Sequence, residues 1–139
     1  MIIDGLPDLA IRALLDHPRR IALVGASNKP ERPSYDVLAF LLDHDFDVTP
    51  VNPGLAGQQI LGRIVAASLA EAAPLDVVDI FRASDAVGPI VEEAVQLGAR
   101  TIWMQLGVVN AAAAETARQA GLTVVMDRCP KIEWYRLGL

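Results

Sequence analysis

Short apolar runs rich in β-branched residues alternate along the chain with longer stretches in which apolar residues recur at helical spacing. That alternation predicts a parallel α/β sheet covered by helices. A leading helix is expected over about Pro7 to Asp16, with apolar residues at Leu9, Ile11, Leu14 and Leu15 and Pro18 ending it. Arg20 to Val24 reads as the first strand, stopped by Gly25. Ser34 is a fitting N-cap for the next helix, with Asp36 in its first turn and Val37, Leu38, Leu41 and Leu42 inward. Val48 to Val51 follows as a strand, closed by Asn52-Pro53-Gly54.

The stretch from Leu55 to Ala73 has the least regular pattern; a short strand near Arg63 to Val65 and a turn of helix capped by Ser68 are expected there. Val77 to Phe81 is a strand, and Ser84 or Asp85 is placed to cap a helix running to about Leu97, with Gly98 as its C′ residue. Thr101 to Gln105, an Ala-rich helix from Asn110 to Ala120, Leu122 to Met126 and a helical tail from Pro130 complete the order. The expectation is a Rossmann-like three-layer α/β sandwich of five or six parallel strands, one domain over residues 1–139. Ligands in such sheets bind beyond the carboxyl ends of the strands.

Composition supports this. The chain is 53% hydrophobic but only 5% aromatic, so Val, Leu, Ile and Ala must build the core, as in a buried parallel sheet. No repeat, linker or low-complexity segment interrupts it. A net charge of −5 without basic clusters argues against binding a nucleic acid. The first twelve residues lack the pattern of a signal peptide, and no stretch is long and apolar enough to span a membrane. One cysteine, Cys129, excludes an internal disulfide and fits a reducing compartment, so a cytoplasmic location is expected.

Charge becomes informative at the predicted binding edge. The segments that follow the strands carry Lys29, Arg32, Arg82, Arg128 and Lys131 against Glu31, Asp85 and Asp127. A net positive rim on an acidic chain suits a small anion. In the loop after the first strand, Gly25 permits a sharp turn and Ser27 and Ser34 add hydroxyl donors beside a helix N-terminus. Alone, Gly25-Ala26-Ser27 is equally an ordinary strand-to-helix turn. The loop is neither Gly-x-Gly-x-x-Gly nor a Walker loop, and Asn52 stands where an NAD site places an acid. A nicotinamide dinucleotide is therefore disfavoured, with NADP left open.

Candidate catalytic groups are few. His17 and His44 fall at helix ends, away from the binding edge, and read as dipole partners rather than general bases. One Cys and two distant His assemble no zinc site. Buried Asp76 or Asp79 could belong to a site, though solvation at a strand edge is the simpler account, and no Ser–His–Asp arrangement is suggested. Cys129 is either a thiol activated by Arg128 and Lys131 or a small buried hydrophobe.

Six stretches in order carry a resemblance. They are Ile21 to Ser27; Lys29 to Tyr35; Pro50 to Pro53; Asp76 to Arg82; Trp103 to Asn110; and Val125 to Glu133. Together they resemble the stand-alone coenzyme A-binding protein family, whose Rossmann-type domain is similar to the CoA-binding domain of the succinyl-CoA synthetase α subunit. The resemblance implies a CoA site. Gly25, Ala26 and Ser27 would meet the pyrophosphate; Lys29, Arg32 and Ser34 the phosphates, including the 3′-phosphate; Asn52 and Pro53 the ribose or adenine. Phe81 and Arg82 would flank the adenine or the pantetheine, Gln105 and Gly107 would line the path to the thiol, and Cys129 and Lys131 complete the implied set. The synthetase's phosphohistidine domain has no counterpart here, so its ligase chemistry is not implied. The expected function is binding of CoA or an acyl-CoA without catalysis. An NADP-linked or acyl-transfer enzyme and a mixed disulfide between CoA and Cys129 are the alternatives, and a homodimer or protein partner is left open.

Overall fold

The computed structural model describes residues 4–139. Its elements are α1 (Asp8–Leu15), β1 (Arg20–Val24), α2 (Pro33–Asp43), β2 (Asp47–Val51), β3 (Gln59–Ile60), β4 (Arg63–Ile64), α3 (Leu69–Ala72), β5 (Val77–Ile80), α4 (Val87–Gln96), β6 (Thr101–Met104), α5 (Ala111–Gln119), β7 (Thr123–Val125) and α6 (Pro130–Arg136). Short 3-10 turns lie at Pro53–Leu55 and Ser84–Ala86.

Five strands form one parallel sheet in the order β2-β1-β5-β6-β7, with Ile21 facing Val48 on one side and Val77 on the other. Side chains alternate across its two faces. Ala22, Val24, Val78, Ile80, Ile102 and Met104 pack under α3, α4 and α5. Ile21, Leu23, Val77, Trp103 and Val125 pack under α1, α2 and α6. β5, completely buried, runs through the centre of both cores. The chain leaves β1 toward β2, then crosses back over β1 to enter β5. The loops after β1 and β5 consequently diverge, and this is the switch point where open α/β sheets form their crevice.

The expected strand near Arg63 exists but does not join the sheet. It pairs antiparallel with Gln59–Ile60 because Leu61 (φ 51°) and Gly62 (φ 81°) both take left-handed backbone and turn the chain straight back. Leu61 in that conformation gives no sequence warning, unlike Asn or Asp. Ser34 is not the N-cap of α2; Arg32 is, and Ser34 lies buried in the first turn after Pro33. Ser68 caps α3 as expected, accepting from the Glu71 N–H. Neither Ser84 nor Asp85 caps α4. The Ser84 hydroxyl instead accepts the Val109 N–H at 2.9 Å, tying the loop after β5 to the loop after β6. Asp79 is not solvated at a strand edge, because both neighbours of β5 are present and helices cover its faces.

Candidate functional site

A cleft of about 980 Å³ runs along the carboxyl ends of the strands, at the upper end of the ~300–1,000 Å³ usual for small-molecule sites. Its centre is the loop after β1. Gly25 turns the chain at φ 87°, and a Cβ there would lie 2.2 Å from the Phe81 carbonyl oxygen. Only glycine lets the ends of β1 and β5 approach so closely. The Gly25 and Ala26 N–H groups donate to the Val51 carbonyl, whereas among the described residues those of Ser27 and Asn28 have no partner. The Ser27 hydroxyl oxygen accepts the Lys29 N–H at 3.1 Å, which shapes the turn and leaves the hydroxyl proton free to donate.

Asn52 lines the cleft, but its side chain braces the loop. Its Nδ2 donates to the Ala26 carbonyl at 2.8 Å and its Oδ1 accepts the Gly54 N–H at 2.8 Å. A carboxylate could not donate to Ala26, which accounts physically for an amide at a position where an acid would grip a ribose.

Lys29, Arg32, Arg82 and Lys131 reach this cleft against one carboxylate, Asp36. Asp36 on α2 holds Lys131 on α6 at 3.0 Å, and this hydrogen-bonded pairing raises the lysine above its ordinary pKa. Ser34 and Phe81 also line it, with Gln105 just after β6 and Cys129 just before α6.

Three expectations about the rim are corrected. Arg128 does not face it: the guanidinium, 3% exposed, is enclosed by Asp4 at 2.8 Å and Glu133 at 2.7 Å. Gly107 does not line the cleft; its N–H donates to the Asp127 carboxylate at 2.7 Å. Pro53 opens instead onto a neighbouring depression of about 480 Å³ on the opposite sheet face, beside Ser68 and Pro89. Gly25, Asn52, Phe81 and Arg82 border both spaces, so the two meet at the switch point. The other residues of the implied CoA set converge on the cleft, whereas the rim acids Glu31, Asp85 and Asp127 do not line it.

Sequence reasoning missed the wall formed by Leu106, Val108, Ile132 and Tyr135. The signal was the exposure of three large apolar side chains, invisible until the fold places them. Cys129 is buried, as its reading as a small hydrophobe expects, and is part of the cleft wall, while Arg128 is turned away from it toward Asp4 and Glu133. His17 pairs with Asp16 beyond α1, and His44 bonds the Phe40 carbonyl at the end of α2. Neither lines the cleft. Among the described residues no cluster of His, Cys, Asp or Glu could hold a metal ion, and no helix is long and apolar enough to cross a membrane.

Comparisons with known proteins agree with this architecture. Residues 19–135 match the family model described as a CoA binding domain. The uncharacterized protein YneT of Bacillus subtilis is 36% identical over 123 residues, covering 88% of this chain and 90% of that protein. A hypothetical protein from Pyrococcus horikoshii superimposes with a TM-score of 0.91 at 41% identity, over 99% of this chain and 96% of that one. The fold recurs in an acetyl-coenzyme A synthetase of Ca. Korarchaeum cryptofilum, with a TM-score of 0.64 and 24% identity over 84% of this chain and 27% of the synthetase. The chain belongs to the CoA-binding domain family.

Proposed function

We propose that the chain is a single CoA-binding unit that holds coenzyme A in the cleft at the switch point and carries out no reaction on it alone. The observation that carries this reading is the β1 loop. Gly25 is pressed against the Phe81 carbonyl, and Ser27 and Asn28, whose N–H groups have no partner among the described residues, line the crevice. Backbone donors in such a loop are suited to a pyrophosphate. Lys29 and Arg32, in the same loop, supply charge for the 3′-phosphate, and Arg82 approaches from the other side of the crevice. Asn52 acts by holding Ala26 in place. Gln105 lies along the pantetheine arm, and Cys129 and Lys131 stand beyond it. The reading assigns no catalytic step, because Asp36 is engaged by Lys131 and both histidines are remote. A reducing, cytoplasmic setting suits the free thiol.

Thermal unfolding with added nucleotides tests it. CoA at about 100 times its Kd adds ~2.7 kcal/mol to the native state, a rise of several degrees in Tm. The rise should shrink with 3′-dephospho-CoA. A shift with NADP and none with CoA would overturn the proposal.

A further inference from the structure

The cleft has a mixed lining. The loops after β1 and β2 bring Ser27, Lys29, Arg32 and Asn52 to it. Leu106 from the loop after β6 and Ile132 and Tyr135 from α6 add large apolar side chains, with the Lys131–Asp36 pair beside them and Val108 and Cys129 also in the lining. Leu106, Ile132 and Tyr135 are 56%, 53% and 66% exposed. Ile132 and Tyr135 are three residues apart and so share one face of the helix. Gln105, itself buried, also lines the cleft, and its Oε1 has no hydrogen-bond partner among the described residues. A buried acceptor left without a donor is unfavourable; Oε1 is enclosed, so a rotation of the Gln105 side chain is what would present it to a ligand donor.

The pantetheine arm of CoA carries amide N–H groups that can satisfy Gln105. Its terminal thiol, however, is too small to cover three large apolar side chains. A hydrocarbon chain joined to that thiol is not. We propose that the cleft is built for a thioester of CoA with a short- or medium-chain apolar acyl group. The chain would lie over Leu106, Ile132 and Tyr135, and an arm N–H would donate to Gln105 Oε1. This rests on the CoA reading above and specifies which form of the cofactor the site favours. A second copy of the protein is a poorer occupant. A stable interface buries roughly 800 Å² and about 20–30 residues per partner, whereas this apolar wall offers three large exposed side chains within a cleft that Lys131 and Asp36 also border.

Isothermal titration of the full chain with CoA, acetyl-CoA and octanoyl-CoA tests the inference. Each buried methylene is worth roughly a factor of four in affinity. Octanoyl-CoA should therefore bind at least tenfold more tightly than CoA, with acetyl-CoA between them. The double substitution Leu106→Ser with Ile132→Ser should bring the affinities for octanoyl-CoA and CoA to within about twofold of each other, the ratio being read within the variant itself. Equal affinities for CoA and octanoyl-CoA would overturn the acyl inference and leave the CoA reading standing. Binding of neither would overturn both. Light scattering that finds a dimer dissociated by the double substitution would assign the wall to a second copy and overturn the acyl site.

Discussion

Asp79 is a carboxyl group with no hydrogen-bond partner among the described residues, enclosed in the middle of the central strand. Its surroundings are Leu14, Leu15, Ile21, Val77, Trp103 and Pro130, around a cavity of about 10 Å³. Such a space is at the lower limit for one water, ~10–15 Å³. Burial without a counter-charge pushes its pKa well above the ordinary 3.8, so the neutral acid is favoured in the fold. In the unfolded chain the same group ionises near the ordinary value. Between these two pKa values the native state binds the extra proton, and stability must fall as pH rises through that window. Asp79→Asn removes this dependence. The difference in Tm between variant and parent should move in the variant's favour from pH 4 to pH 8, by several degrees. Asp4 and Glu133 titrate in both proteins and cancel in the difference; a constant gap would refute the prediction. Gly25 is the other residue whose identity is dictated at atomic scale. Gly25→Ala puts a Cβ into the Phe81 carbonyl and strains a left-handed backbone. A loss of at least ~1–3 kcal/mol in chemical denaturation is expected, together with loss of the CoA-induced shift in Tm.

At the scale of elements, α6 matters most, because it carries Lys131, Ile132 and Tyr135 to the cleft. It is held by charge. Arg128 donates through Nε and Nη2 to Asp4, through Nη1 to Glu133 on α6, and to the Leu6 carbonyl. Glu133 also receives Arg136, which reaches Asp8 at the start of α1. The segment before α1, the end of β7 and the two terminal helices are thereby locked together. Burial alone would raise the pKa of Asp4 and Glu133. For Asp4 the hydrogen bonds from Arg128 and the Leu6 and Met126 N–H groups outweigh burial; for Glu133 those from Arg136 and Arg128 do. Both carboxyls end below their ordinary values. Removing the shared cation strands buried carboxylates. Arg128→Met should cost ~3–5 kcal/mol at neutral pH, read by chemical denaturation. The loss should narrow as pH falls toward 4 and the carboxyls take up protons. A loss under 1 kcal/mol at neutral pH would show that packing, rather than this network, seats α6.

Over the whole molecule, an acidic chain concentrates four cationic side chains along one cleft. Much of this is legible in the order of residues. The alternation of strand and helix patterns is local, set by side-chain period and by Gly and Pro at the joints. Strand order along the chain and the phosphate-type loop at Gly25 can therefore be read from residues. Residue order suffices for the α/β class, the acidic balance and the residues that end each strand. Which of those residues share a space is a property of the folded chain. Folding turns Arg128 inward to a carboxylate 124 positions away, spends Asn52 on bracing the loop, diverts Gly107 to Asp127, and buries Asp79 with no partner among the described residues. It also joins Leu106 to Ile132 and Tyr135 across the cleft. The physical reason is that periodicity fixes the face on which a side chain lies, whereas its partner depends on contacts between residues far apart in the chain.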